Sequence, residues 1–140
     1  MATFNKFNKF VEDLAFGVHN FTNDSTCTIT IALTAVAPIA TNSVLADLTQ
    51  VSYTNISDRV VAISASGHTT GTYKLTLTDK TLTASGTTAA FRYVVLYNDD
   101  PTSPADPLIG YYDYGSSITL ASGETFTVDF DSSNGVLTLA

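Results

Sequence analysis

Tryptophan is absent from this 140-residue chain, cysteine and methionine occur once each, and histidine occurs twice. A single cysteine, Cys27, excludes an intrachain disulfide and with it the stapled framework of a small secreted domain. Cys27 sits in the alternating run Cys27, Ile29, Ile31, Leu33, which reads as a buried small hydrophobe rather than a reactive thiol. Hydrolytic catalysis usually needs a base, often histidine, held beside a nucleophile. His19 and His68 lie far apart, neither in a His-x-x-x-His spacing that would hold a metal, and both are expected as exposed turn residues. No catalytic, cofactor-binding or metal-binding set is therefore assigned, and the chain is expected not to be an enzyme.

Positive charge is equally scarce, with six basic against thirteen acidic residues and a net charge of −7. Lys6, Lys9, Arg59, Lys74, Lys80 and Arg92 are scattered apart from the first pair. Binding to phosphate backbones needs clustered Lys or Arg, so neither nucleic acid nor an anionic membrane is an expected partner. No stretch approaches the ~20 apolar residues of a membrane span. Met1 leads directly into a polar, aromatic segment without an apolar signal region, so synthesis and folding in the cytosol are expected. Charged residues make up only 14%, against about 25% in typical domains, and Thr and Ser fill the difference. Such a surface suits a protein packed against neighbours, and β-branched Thr suits a strand.

What is present is alternation. Phe91, Tyr93, Val95 and Tyr97 share one parity, and Phe126, Val128 and Phe130 repeat it after a Ser122-Gly123-Glu124 turn. Side chains on a strand alternate between faces, so these are strands over a filled core. Val94 and Leu96 make the other face of 91–97 apolar too, which places that strand centrally. Further strands are expected over about 26–35, 59–65, 72–78, 81–84, 108–114, 118–121, 125–131 and 136–139. Asp79-Lys80 is expected to join two of them tightly, and Ser132-Ser133-Asn134-Gly135 to form a hairpin turn. Residues 37–54 are irregular, with one helical turn over 43–48. Asn98 to Pro107, with three prolines and three aspartates, is a surface loop. Eight or nine short strands imply an antiparallel β-sandwich, jelly-roll-like, in a single domain over 1–140 with its sandwich in 26–140.

The N-terminus breaks this pattern. Phe4, Phe7, Val11, Leu14 and Val18 are spaced three and four apart, which predicts a short α-helix of about four turns within residues 1–19. Thr3 or Asn5 is expected to cap it, Gly17 to end it and Phe10 to widen the seam, with Asn5, Asn8, Lys9, Glu12 and Asp13 on the polar side. A face this narrow and aromatic must be covered. It packs either on the domain itself, in which case Phe7→Asp unfolds the chain, or on another molecule. In the second case Phe4, Phe7, Val11 and Leu14 are candidate contacts with a second copy or another protein, and Phe7→Asp leaves a folded domain that no longer associates.

Other constellations yield less. Asp99, Asp100, Asp106 and Asp113 surround the proline-rich loop and read as solvated turn formers rather than a Ca²⁺ set. The run Asp129 to Gly135 is out of phase with a calcium loop. Tyr111, Tyr112 and Tyr114 form the one tyrosine cluster, with Tyr112 and Tyr114 on one strand face and Tyr111 on the other; a subunit contact and a sugar platform both remain open.

The opening Met1-Ala-Thr-Phe-Asn-Lys-Phe-Asn-Lys-Phe-Val-Glu-Asp-Leu-Ala-Phe-Gly-Val-His-Asn20 resembles the start of small structural proteins of tailed bacteriophages. Phe91-Arg-Tyr-Val-Val-Leu-Tyr-Asn98, the run Tyr111-Tyr-Asp-Tyr-Gly-Ser-Ser-Ile-Thr-Leu-Ala-Ser-Gly-Glu-Thr-Phe-Thr-Val-Asp-Phe-Asp131 and Asn134 to Leu139 are similar to the same group. Between about 42 and 88 the likeness fades. Within the group the chain is most similar to jelly-roll head decoration (cement) proteins. That resemblance implies a non-enzymatic virion protein on the outer capsid surface, made in the host bacterial cytoplasm. Its implied partners are the phage major capsid protein, whose subunits it would bridge and stabilise, and itself as a dimer or trimer. A tail, neck or receptor-binding component and a carbohydrate-binding β-sandwich are the alternatives.

Overall fold

The computed structural model describes residues 2–24 and 26–140. Along the chain run β1 (Phe4–Lys6), α1 (Asn8–Ala15), β2 (Ile29–Thr34), β3 (Val60–Val61), β4 (Ile63–Thr69), β5 (Thr72–Leu77), β6 (Lys80–Thr83), β7 (Phe91–Asn98), β8 (Leu108–Ile118), β9 (Thr125–Val128) and β10 (Leu137–Leu139). A 3-10 turn at Leu45–Asp47 fills the expected place in the irregular segment. A five-stranded antiparallel sheet has the order β1-β8-β7-β2-β3; β10-β5-β4 and β6-β9 form two smaller sheets. Leu75 and Leu77 of β5, Leu82 of β6 and Val128 of β9 share one core with Ile29, Ile31 and Leu33 of β2. The protein is thus a mainly β, antiparallel β-sandwich with one short helix near its N-terminus.

β7 is central, as its two apolar faces require. It pairs with β2 from Ile29↔Asn98 to Thr34↔Tyr93 and with β8 on its other side. Every residue of β2, and every residue of β7 except Arg92, is buried. Beyond β2, the chain from Val51 to Arg59 covers the edge. Val51 N donates to Leu33 O and Ile31 N to Arg59 O, while the Arg59 guanidinium lies 3.6 Å over the Tyr53 ring.

The predicted N-terminal helix is shorter and rotated. Met1 lies outside the described residues. Phe4 belongs to β1, opposite Tyr112 with ring centroids 5.2 Å apart, and α1 has eight residues, about two turns. Neither Thr3 nor Asn5 caps it; Phe7 occupies the cap position without a side-chain bond. Pairing of β1 with β8 fixes how the chain enters the helix. As a result Phe7, Phe10 and Asp13 turn inward, while Val11 is 51% exposed. Gly17 does end the helix at φ +76°, with Val18 N donating to Asp13 O.

β1 depends on Gly110. A Cβ at Gly110 would fall on the Phe4 ring and 2.8 Å from Asn5 O. Gly110→Val should cost about 1–3 kcal/mol by overpacking. Urea unfolding measures the loss, and faster amide exchange at Asn5 would locate it at β1.

Three expected connections differ. Asp79-Lys80 does not close a hairpin: β5 pairs with β4 and β10, and β6 with β9. Asp79 Oδ1 instead accepts from Phe130 N at 2.9 Å. The Ser132–Gly135 turn forms around Asp131, whose carboxylate accepts from Ser133 N and Asn134 N. It leads from β9 into β10, which lies in another sheet. The strand expected at 108–114 continues to Ile118 as β8, and 119–121, expected as strand, lie beyond its end. Phe91 faces Ile118 and Tyr93 faces Asp113, so two steps along β7 match five along β8 and the residues between bulge outward.

Candidate partner-binding groove

That bulge builds one wall of an open apolar groove. Arg92 grips Asp113 in two parallel bonds, Nε to Oδ1 at 2.7 Å and a terminal nitrogen to Oδ2 at 2.8 Å. Asp113 Oδ1 also accepts from Gly115 N at 2.8 Å, and Gly115 sits at φ +97°, where glycine avoids a Cβ clash. The ion pair holds the Asp113 carboxyl below its usual range, chiefly through the Arg92 hydrogen bond. These contacts set the direction in which Tyr114 leaves the strand. Tyr114 is 55% exposed, and its ring meets Phe126 at 5.5 Å, edge to face.

The groove has a volume of about 390 Å³ and is lined by Ala2, Val94, Tyr112, Tyr114 and the run Phe126 to Asp129. Tyr112 is half-buried between Phe4, at 5.2 Å, and Phe130, at 6.2 Å. Burial, with a smaller effect from nearby Asp131, pushes its hydroxyl up to about 12. Phe126 in turn contacts the buried Phe91 at 5.3 Å. The groove is therefore an opening onto the core rather than a film on the surface.

Of the seven candidate contact residues, the structure brings Tyr112 and Tyr114 together in this groove. Tyr111 takes the other face, against Phe7 at 5.4 Å and Tyr93 at 6.4 Å. Phe4 covers Tyr112 from β1, and Leu14 is half-buried against the core. Phe7 is fully buried, which overturns its reading as a contact with another molecule. Val11 on α1 and Phe16 just after it remain outside, and Val36 and Ile39 are exposed after β2. Asn8 N donates to Ala40 O, tying those two segments together. Phe126, Val128 and Asp129 joined the groove unforeseen; the first two were visible only as an inward parity.

The titratable groups are engaged structurally. His19 is buried, contrary to the exposed turn residue expected. It stacks on Phe21 at 5.2 Å and meets Phe10 at 5.1 Å, while Asn98 Nδ2 lies 3.5 Å from its Nδ1. Burial pushes its pKa down to about 4. His68 is exposed, on β4 rather than in the turn, which Thr70 and Gly71 make with positive φ. Cys27 is half-buried, and its thiol is pushed up to about 11, first by burial and then by Asp100 and Asp24. Asp106 is raised by burial and by Asp99, while Asp100 accepts from Thr28 N. Among the described residues no three His, Cys, Asp or Glu side chains come together to hold a metal, and no helix is long and apolar enough to cross a membrane.

No known protein family matches the chain, and no curated protein or solved structure does either. A functional reading rests on the residues themselves, and the groove is their least explained feature. It is the candidate seat for another molecule.

Proposed function

We propose that this chain is a non-enzymatic structural protein of a tailed-phage particle, a decoration protein that binds the outer capsid surface as a dimer or trimer and bridges major capsid subunits. One coincidence carries this reading. Every residue lining the groove falls within the segments that resemble phage structural proteins. Ala2 lies in the opening segment, Val94 in 91–98, and Tyr112, Tyr114 and Phe126 to Asp129 in 111–131. The middle of the chain, where the likeness fades, contributes nothing to it. A sandwich with both faces of its central strands filled is stiff enough to act as a clamp. Its acid excess keeps it off the packaged genome. Repetition around a symmetric shell would multiply modest contacts into firm attachment.

Adding the purified chain to undecorated shells tests this. The chain should sediment with them and raise their melting temperature, because a ligand bound to the assembled state stabilises it. Failure to sediment with shells would contradict the proposal. A glycan-dependent rise in the melting temperature of the isolated chain would favour the carbohydrate-binding alternative instead.

A further inference from the structure

The groove opens on a strand edge as well as a strand face. Phe126, Thr127 and Val128 of β9 are consecutive, and consecutive strand residues point to opposite faces, yet all three line it, with Asp129 just past the strand. Among the described residues β9 pairs with β6 alone, so the backbone groups along its second edge have no strand partner. Such an edge is a template for one more strand.

Charge selects what would fill it. The lining includes Asp129 and no Lys, Arg or His, and Asp131 lies close enough to Tyr112 to act on its hydroxyl. A second copy of this chain is a poor match. It carries −7, and its Lys9, Lys80 and Arg92 are engaged with Glu12, Asp58 and Asp113.

We infer that the groove takes an extended segment of a different protein, with apolar residues alternating with Lys or Arg, which adds as a strand along the free edge of β9. Its apolar side chains would lie on Tyr114 and Phe126 and its cations beside Asp129. Backbone pairing supplies affinity in such an addition, and the alternate side chains supply selectivity. That the partner is a shell protein rests on the proposed function; the chemistry of the segment rests on the groove alone.

The probe is an octapeptide alternating Lys and Val, titrated into the nitrogen-15-labelled full chain, with a Glu–Val octapeptide as control. The Lys–Val peptide should shift the amides of Thr125 to Asp129, and added salt should weaken it. Asp129→Lys should weaken binding by about tenfold, the scale of reversing one close charge pair. Tyr114→Ala should weaken it too while the chain stays folded, its melting temperature lowered only by the loss of the Phe126 contact. No response at those amides, or an equal response to both peptides, would overturn the inference. Shell sedimentation separates the two ideas. Wild-type and both variant chains sedimenting equally well with shells, with no peptide response at β9, would sink the groove and spare the decoration reading. A wild-type chain that ignores shells yet binds the Lys–Val peptide at β9 would do the reverse.

Discussion

Replacing Phe7 by Asp is expected to unfold the domain, not to release it from a partner. Phe7 is fully buried, its ring 5.4 Å from Tyr111, at the junction between β1 and α1. Removing a buried Phe side chain alone costs about 3–5 kcal/mol. A carboxylate in its place must also be desolvated or neutralised, which adds further cost. The sum approaches the whole stability of an ordinary domain, about 5–15 kcal/mol. Thermal unfolding followed by circular dichroism should show a greatly lowered or vanished transition. Val11→Asp, on the same helix but 51% exposed, should stay within about 0.5 kcal/mol of wild type. A well-folded Phe7→Asp variant would mean that Phe7 faces solvent and that the packing of α1 described above is wrong.

The second large effect is a loss of stability on mild acidification, centred on His19. The folded chain keeps this imidazole neutral down to about pH 4, because Phe10 and Phe21 enclose it and charging it would require a solvated site. In the unfolded chain it takes up a proton as pH falls through about 6.5. Between those values the unfolded state binds the extra proton, so stability declines as pH falls, by about 1.4 kcal/mol per unit. The decline attributable to His19 totals about 3 kcal/mol and levels off below its folded value. Buried Asp13 works the other way: its raised pKa means the folded chain takes a proton before the unfolded chain does. That offset sets in as pH falls toward its ordinary value of 3.8, and it opposes the loss from His19. The lowered carboxyls of Asp47, Asp58, Asp113 and Asp131 lose their contribution only below about the same value. Melting temperatures at pH 7, 6 and 5 should therefore fall for wild type and stay nearly level for His19→Phe. Parallel curves for the two proteins would show that His19 is solvated.

These two residues also mark where local sequence pattern stops being informative. The doubly apolar run of β7 could be read directly, because period-two alternation with both parities filled fits a central strand. The glycine stops at Gly17 and Gly123 were equally legible, since both need a positive φ that glycine adopts freely. Phe4, Phe7, Val11 and Leu14, by contrast, fit a helical seam in isolation. Their true division depends on β8, a hundred residues on, whose Gly110 leaves room for the Phe4 ring. His19 stands beside Asn20 and Asn23, and nothing nearby announces that Phe10, Phe21 and Asn98 converge on it. Strand partners were illegible for the same reason: β6 meets β9, and β10 meets β5, across long stretches of chain. The groove was half visible. Tyr112 and Tyr114 shared a face, and Phe126 and Val128 shared another, but only folding sets Tyr114 against Phe126 at 5.5 Å.

Cladding of a viral shell is the proposed role. It is tested most directly by the copy number of the chain relative to the major capsid protein in purified particles. The account predicts about one copy for each capsid subunit, as symmetric decoration requires. A handful of copies per particle, or none, would contradict it; the former would move the chain to the tail or neck.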